Sequence, residues 1–144
     1  MISNKLIDFM KKKNWWFDEI SDAYVSSLEL LGIPLDSDAA FFFLHAEDGP
    51  SFCSKKGQIH QIGWHIANTN YIENTSSQKK TLGIPDNYLA LDNFENGSGF
   101  FYDSKTGWVI YLETGSILIN FQHGSIEKKW ESFNDFIEWF FDIK

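Results

Sequence analysis

Aromatic side chains make up 17% of this chain, with fourteen Phe and six Trp. A chain carrying that much aromatic surface must bury most of it, so it has to build a large core. Its 144 residues are the length of one domain, 1–144, and a domain of this size buries about two-thirds of the surface its unfolded chain exposes. Apolar residues at 43% and charged residues at 22% complete a composition that can offset the entropy of ordering. No apolar run reaches the roughly 18 residues of a membrane helix. The N-terminal Lys cluster follows a short apolar stretch, the reverse of a secretory leader. Cys53 stands alone, so no internal disulfide can form, and a reducing, cytoplasmic setting is expected.

Charge narrows the function classes. The twelve basic residues are all Lys, and twenty acidic residues bring the net charge to −8. Arg is the usual residue for bidentate phosphate and guanine contacts, so direct nucleic-acid binding is not expected. The Lys residues are scattered as pairs and one triplet, the pattern of solvated faces.

Hydrophobic periodicity predicts helices at both ends and a sheet between them. Residues 3–13 form an amphipathic helix capped by Ser3, with Leu6, Ile7, Phe9 and Met10 on one face. Trp15, Trp16 and Phe17 follow as a hydrophobic hinge. A second helix spans Asp18 to Leu31 and stops at Gly32 and Pro34. A third starts after Asp36 and ends in the turn Glu47-Asp48-Gly49-Pro50. Gln58 to Trp64 reads as a strand, 67–81 as polar loop with at most a helical turn, and Tyr88 to Leu91 as a strand. Gly99 to Tyr102 and Trp108 to Leu112 make the clearest hairpin, closed by a Gly-containing loop. Ser116 to Phe121 reads as one more strand. The last helix starts at Ser132, whose spacing to Asp135 is that of a capping box. The whole is an α+β fold: N-terminal helices, a central antiparallel meander and a closing C-terminal helix.

No catalytic or cofactor motif emerges. His60 and His65 are five apart, and His45, His123 and Cys53 stand alone, so neither metal-ligand spacing nor a nucleophile elbow is present. Asn96-Gly97-Ser98-Gly99 precedes a strand rather than a helix, which makes it a turn and not a phosphate loop. Carboxylates are plentiful at loops and strand ends: Glu47, Asp48, Asp92, Glu95, Asp103 and Glu113. Such groups serve turn chemistry, an acidic partner face, or a spatially assembled acid pair of the glycosidase kind.

Three segments, taken in order, resemble the SUKH superfamily. Leu28-Glu29-Leu30-Leu31-Gly32-Ile33-Pro34-Leu35 through Asp38, Phe42-Phe43-Leu44-His45 and Asp48-Gly49 is similar to that family's opening motif. It departs in a proline one place early and in Ala46-Glu47 before the Gly. Tyr88–Asn93, Gly97–Asp103 and Thr106–Leu112 are similar to its strand, Gly-rich turn and aromatic hairpin, and Ser132–Ile137 to its closing helix. The resemblance implies an α+β domain without catalytic residues or cofactor. Bacterial members are mostly immunity proteins that neutralise a cognate toxin, and eukaryotic relatives are regulatory interaction modules. An acidic chain suits a basic toxin such as a nuclease, because complementary charge speeds encounter and rejects wrong partners. The expected contact residues are Glu47, Asp48, Asp92, Glu95 and Asp103, with Trp64 and Tyr102 as aromatic anchors. The chain is then not an enzyme, and is a monomer or weak homodimer with no membrane role. The rivals are a non-toxin interaction module, a small hydrolase and a sugar-binding domain.

Overall fold

β4 (Ser98–Asp103) is the strand around which the fold is arranged, because it is buried on both faces from Gly99 onward. A computed structural model describes residues 2–144. In it β4 pairs antiparallel with β3 (Tyr88–Ala90) on one side and β5 (Val109–Glu113) on the other. The short β6 (Lys129–Trp130) extends the sheet beyond β5, giving the order β3-β4-β5-β6. Side chains alternate across a strand, so Leu89, Phe100, Tyr102 and Val109 enter one core while Ala90, Phe101, Ile110 and Leu112 enter a second.

The first core is roofed by helices. α1 (Asn4–Lys12), α2 (Asp22–Leu30), α3 (Asp38–His45) and the closing α7 (Phe133–Phe140) supply Leu6, Met10, Leu28, Phe42, Phe133, Phe136 and Phe140. Ser3, Ser21, Ser37 and Ser132 cap these helices, each accepting a backbone N–H three residues on. α7 is also tied to its neighbours by polar bonds. The Asn134 N–H donates to Asp38 Oδ2 at 2.9 Å, and the Ser3 hydroxyl donates to Glu138 Oε2 at 2.6 Å. The second core is closed by α6 (Ser116–Gln122), which contributes Leu118 and Phe121, together with Ile84 and Phe94.

The α+β expectation, the meander and the closing helix hold. Four local expectations do not. The second helix starts at Asp22 behind the Ser21 cap, not at Asp18, which leaves 17–21 outside the helices. The stretch 58–64 is a strand only to His60: β2 (Gly57–His60) pairs with β1 (Ser51–Ser54), and α4 (Ile62–Asn68) starts at once. Gln61 forces the change, because its side-chain oxygen accepts the Gly63 N–H at 2.8 Å while its amide donates to the Phe43 and Ala46 carbonyls. The polar stretch 67–81 is mostly α5 (Tyr71–Leu82), stopped by Gly83 in the left-handed region at φ +68. Only Tyr71 and Lys79 of α5 are buried, so it carries no apolar stripe to read. Ser116–Phe121 is helical because Leu118 and Phe121, three apart, reach the second core together, and that packing overrides the β-branched composition.

Phe133 is fully buried and packs against Phe42 at 5.4 Å, Phe43 at 5.2 Å and Tyr102 at 5.9 Å. Phe133→Ala is expected to cost about 3–5 kcal/mol, read as a lowered midpoint in urea unfolding. A loss under 1 kcal/mol would mean that α7 does not clamp the sheet.

Candidate functional site

Two concavities, one beside the β1–β2 hairpin and one beside the end of α3, gather the residues that carry chemistry. The first, a cleft of about 510 Å³, lies between that hairpin, α4 and the loop leading from β3 into β4. Asp92 and Glu95 open on it, as do His60, His65 and Tyr111. Asp92 is built into the loop. Its Oδ1 accepts the Phe94 N–H at 3.0 Å and its Oδ2 the Phe100 N–H at 3.1 Å. This lets Phe94 sit at φ +54, an uncommon conformation for a bulky residue, with its ring in the second core. It also explains Gly99, because a Cβ there would overlap the Asp92 carboxylate.

The imidazoles of His60 and His65 lie 4.0 Å apart, centroid to centroid. His60 ends β2, and its N–H donates to the Leu91 carbonyl at 2.7 Å, which fixes the hairpin against the β3 loop. Burial, reinforced by His65, lowers its pKa from 6.5 to about 4. His65 is lowered too, chiefly by burial, and its Nε2 lies 3.0 Å from the Pro50 carbonyl. Burial raises Asp92 from 3.8 to about 6, and neighbouring Glu95 pushes the same way against the two amide bonds. Beneath them Tyr71 donates to the Ala90 carbonyl at 2.5 Å, and burial pushes its pKa up. At neutral pH the cleft therefore holds neutral imidazoles beside the ionised Asp92. Its one ammonium, Lys56, is turned to Asp142 at 2.6 Å and lies 4.9 Å from the centre of the Trp139 ring.

The second concavity is a groove of about 670 Å³ between the segment 17–24 and the end of α3. The Trp15-Trp16-Phe17 hinge makes it. Trp15 is buried against Phe9 and Phe52, while Trp16 stacks on His45 at 4.7 Å with the rings 9° from parallel. Backbone bonds from Phe17 to the His45 carbonyl, 2.7 Å, and from Glu47 to the Trp15 carbonyl, 2.9 Å, lock the hinge to the end of α3. The Phe17 and Ile20 side chains are left 50% and 46% exposed. Asp18, Glu19 and Glu47 border them, and Tyr24 donates to Glu47; burial, reinforced by that bond and by the Glu47 charge, raises the tyrosine pKa.

The sequence-predicted contact residues divide among these places. Asp92 and Glu95 share the cleft, and Glu47 lines the groove. Asp48 is exposed in the turn between α3 and β1. Trp64 is half-buried on α4, edge-on to His65 at 5.2 Å. Two expectations are corrected. Tyr102 is 2% exposed because it points into the first core, where no partner reaches it. Asp103, 5% exposed, is consumed by the β4–β5 loop: Oδ1 accepts from Asn87 Nδ2 at 2.8 Å and the Lys105 N–H at 2.9 Å, and Oδ2 from the Thr106 hydroxyl at 2.9 Å. Sequence reasoning missed the His60–His65 pair and the Phe17–Ile20 groove. A strand through 58–64 separates the two histidines, and Gln61 as a cap ahead of Gly63 is the signal that brings them together. No cluster of three His, Cys, Asp or Glu with metal-binding geometry occurs among the described residues. Nor is any helix there long and apolar enough to cross a membrane. No family model, curated protein or solved structure matches the chain significantly.

His60 and Asp92 have opposite linkage. Below pH 6.5 the unfolded chain protonates His60 and the native state does not, so stability is lost as pH falls toward 4. Native Asp92 takes its proton near pH 6 and the unfolded one near 3.8, so stability is regained over almost the same window. Each effect is about 3 kcal/mol at full span. His60→Gln is therefore expected to gain stability relative to the parent between pH 6.5 and 4, and Asp92→Asn to lose it. Urea midpoints measured across that range check the pair, and parallel curves for parent and variants would refute the linkage.

Proposed function

We propose that the chain is a non-catalytic immunity protein that binds a cognate toxin with a basic surface, such as a nuclease, and blocks its active or substrate-binding face. The observation that carries this reading is the groove, where the exposed Phe17 and Ile20 are bordered by Asp18, Glu19 and Glu47. An apolar centre with a charged rim is the make-up of a protein-recognition surface. Its acidic sign, on a chain of net charge −8, matches a basic partner. The resemblance of the three segments to SUKH immunity proteins supplies the toxin part of the proposal. Cys53, free and exposed, suits the reducing cytoplasm in which such a protein would act.

Expression beside the gene immediately upstream tests the proposal, with rescue from that neighbour's toxicity and a co-purifying complex as the expected results. Phe17→Ala is expected to weaken the complex about tenfold or more, because exposed aromatic anchors carry much of such binding. Glu19→Lys is expected to slow association and flatten its salt dependence. Both side chains are exposed, so the fold is expected to survive. A harmless neighbour, or a toxic one neither bound nor rescued, would overturn the immunity reading. Binding without rescue would point instead to a regulatory interaction module.

A further inference from the structure

The cleft between the β1–β2 hairpin and the Asp92–Gly99 loop is an acceptor-rich cavity with no assigned ligand. Its volume, about 510 Å³, lies within the range of small-molecule sites. His60 is 6% exposed and lines it. Its ring takes no hydrogen bond from another side chain, lies 4.0 Å from the His65 ring and lines the cleft, and no buried side-chain polar atom is left unpaired among the described residues. Its nitrogens are therefore within reach of a molecule in the cleft. A neutral imidazole that donates through one nitrogen accepts through the other, and burial keeps His60 neutral at physiological pH.

The rest of the lining points the same way. The Asp92 oxygens each hold one backbone N–H and keep further lone pairs. Glu95 stands exposed at the rim. The Tyr111 hydroxyl is directed to Glu113 at 2.7 Å, so its donor is not offered to the cleft, and its ring is already taken by Lys128, 5.5 Å from its centre, and by Phe100. The only cation in the lining, Lys56, is paired with Asp142. A cavity lined by two carboxylates and an imidazole, whose one lining cation is paired, repels anions and suits a planar or tetrahedral cationic donor.

We propose that this cleft binds a cationic hydrogen-bond donor, a guanidinium or an ammonium group, held by Asp92 and Glu95 with a His60 ring nitrogen accepting. The group can be carried by a small molecule or by a side chain of a protein. The inference does not rest on the toxin reading, because the cleft and the Phe17–Ile20 groove are lined by different residues.

The test is a titration of the intact protein at neutral pH with N-acetyl-arginine methylamide, with the citrulline analogue as the uncharged control. The readout is the ring-proton NMR signals of His60 and His65. Saturable shifts are expected with arginine at a dissociation constant on the order of 1 mM, the ligand being only about sixteen heavy atoms, and none with citrulline. Agmatine separates the sources. A constant below about 10 μM for it marks a free small molecule, whereas about 1 mM marks a side chain presented by a protein. Asp92 is part of the fold, so the variant is Glu95→Gln, which leaves the loop bonds in place and is expected to weaken arginine binding about tenfold. Equal shifts with citrulline, no saturation at about 20 mM, or unchanged affinity in Glu95→Gln would overturn the assignment.

Discussion

Burial of β4 on both faces is the constraint on which the rest of the molecule depends. From Gly99 to Asp103 no side chain of that strand faces open solvent, so two separate layers have to cover it. α1, α3 and α7 provide one and α6 with Ile84 and Phe94 the other. This is where the aromatic load goes. Phe100 alone lies within 6.3 Å of Tyr111, Trp130, Phe136, Trp139 and Phe140, ring centre to ring centre. Edge-to-face contacts of that kind add to the apolar area buried. The same burial consumes Tyr102 and Asp103, which left to themselves resemble an anchor and a contact acid.

The loop before β4 joins fold to site. Asp92 holds the Phe94 and Phe100 amides, requires Gly99 beside it, and brings Glu95 to the rim. His60 then ties the β1–β2 hairpin to Leu91, and the space between becomes the cleft. A carboxylate placed for structural reasons thus sets the electrostatics of a cavity. Its opposition to His60 keeps the acid response of these two groups nearly balanced.

Legibility in the sequence followed the locality of the signal. Ser3 and Ser132 with its Asp135 marked helix starts through bonds made within a turn, and both starts were readable. The hairpin 99–112 was readable because aromatic and β-branched residues met a Gly-containing loop. α5 was not, since its stability comes from Tyr71 reaching the Ala90 carbonyl and from Gly83, rather than from an apolar face. α6 was misread because Ile117, Leu118 and Ile119 favour a strand until the second core claims Leu118 and Phe121. Of the site, Asp92, Glu95 and Glu47 were legible as acids at loops. The groove was not, because Phe17 reads as one of three equivalent hinge aromatics and Ile20 falls inside the helix expected from Asp18, whereas Trp15 and Trp16 pack inward and the helix starts only at Asp22.

The central proposal is that the Phe17–Ile20 groove is the surface through which this acidic chain meets its partner. Amide hydrogen exchange on the chain alone and in complex with the product of the upstream gene tests that most directly. Slowed exchange over 17–24 and 44–48, with the α6 surface unchanged, is the result the account predicts. A stable complex that protects α6 or the β6 edge and leaves 17–24 exchanging as in the free protein would contradict it.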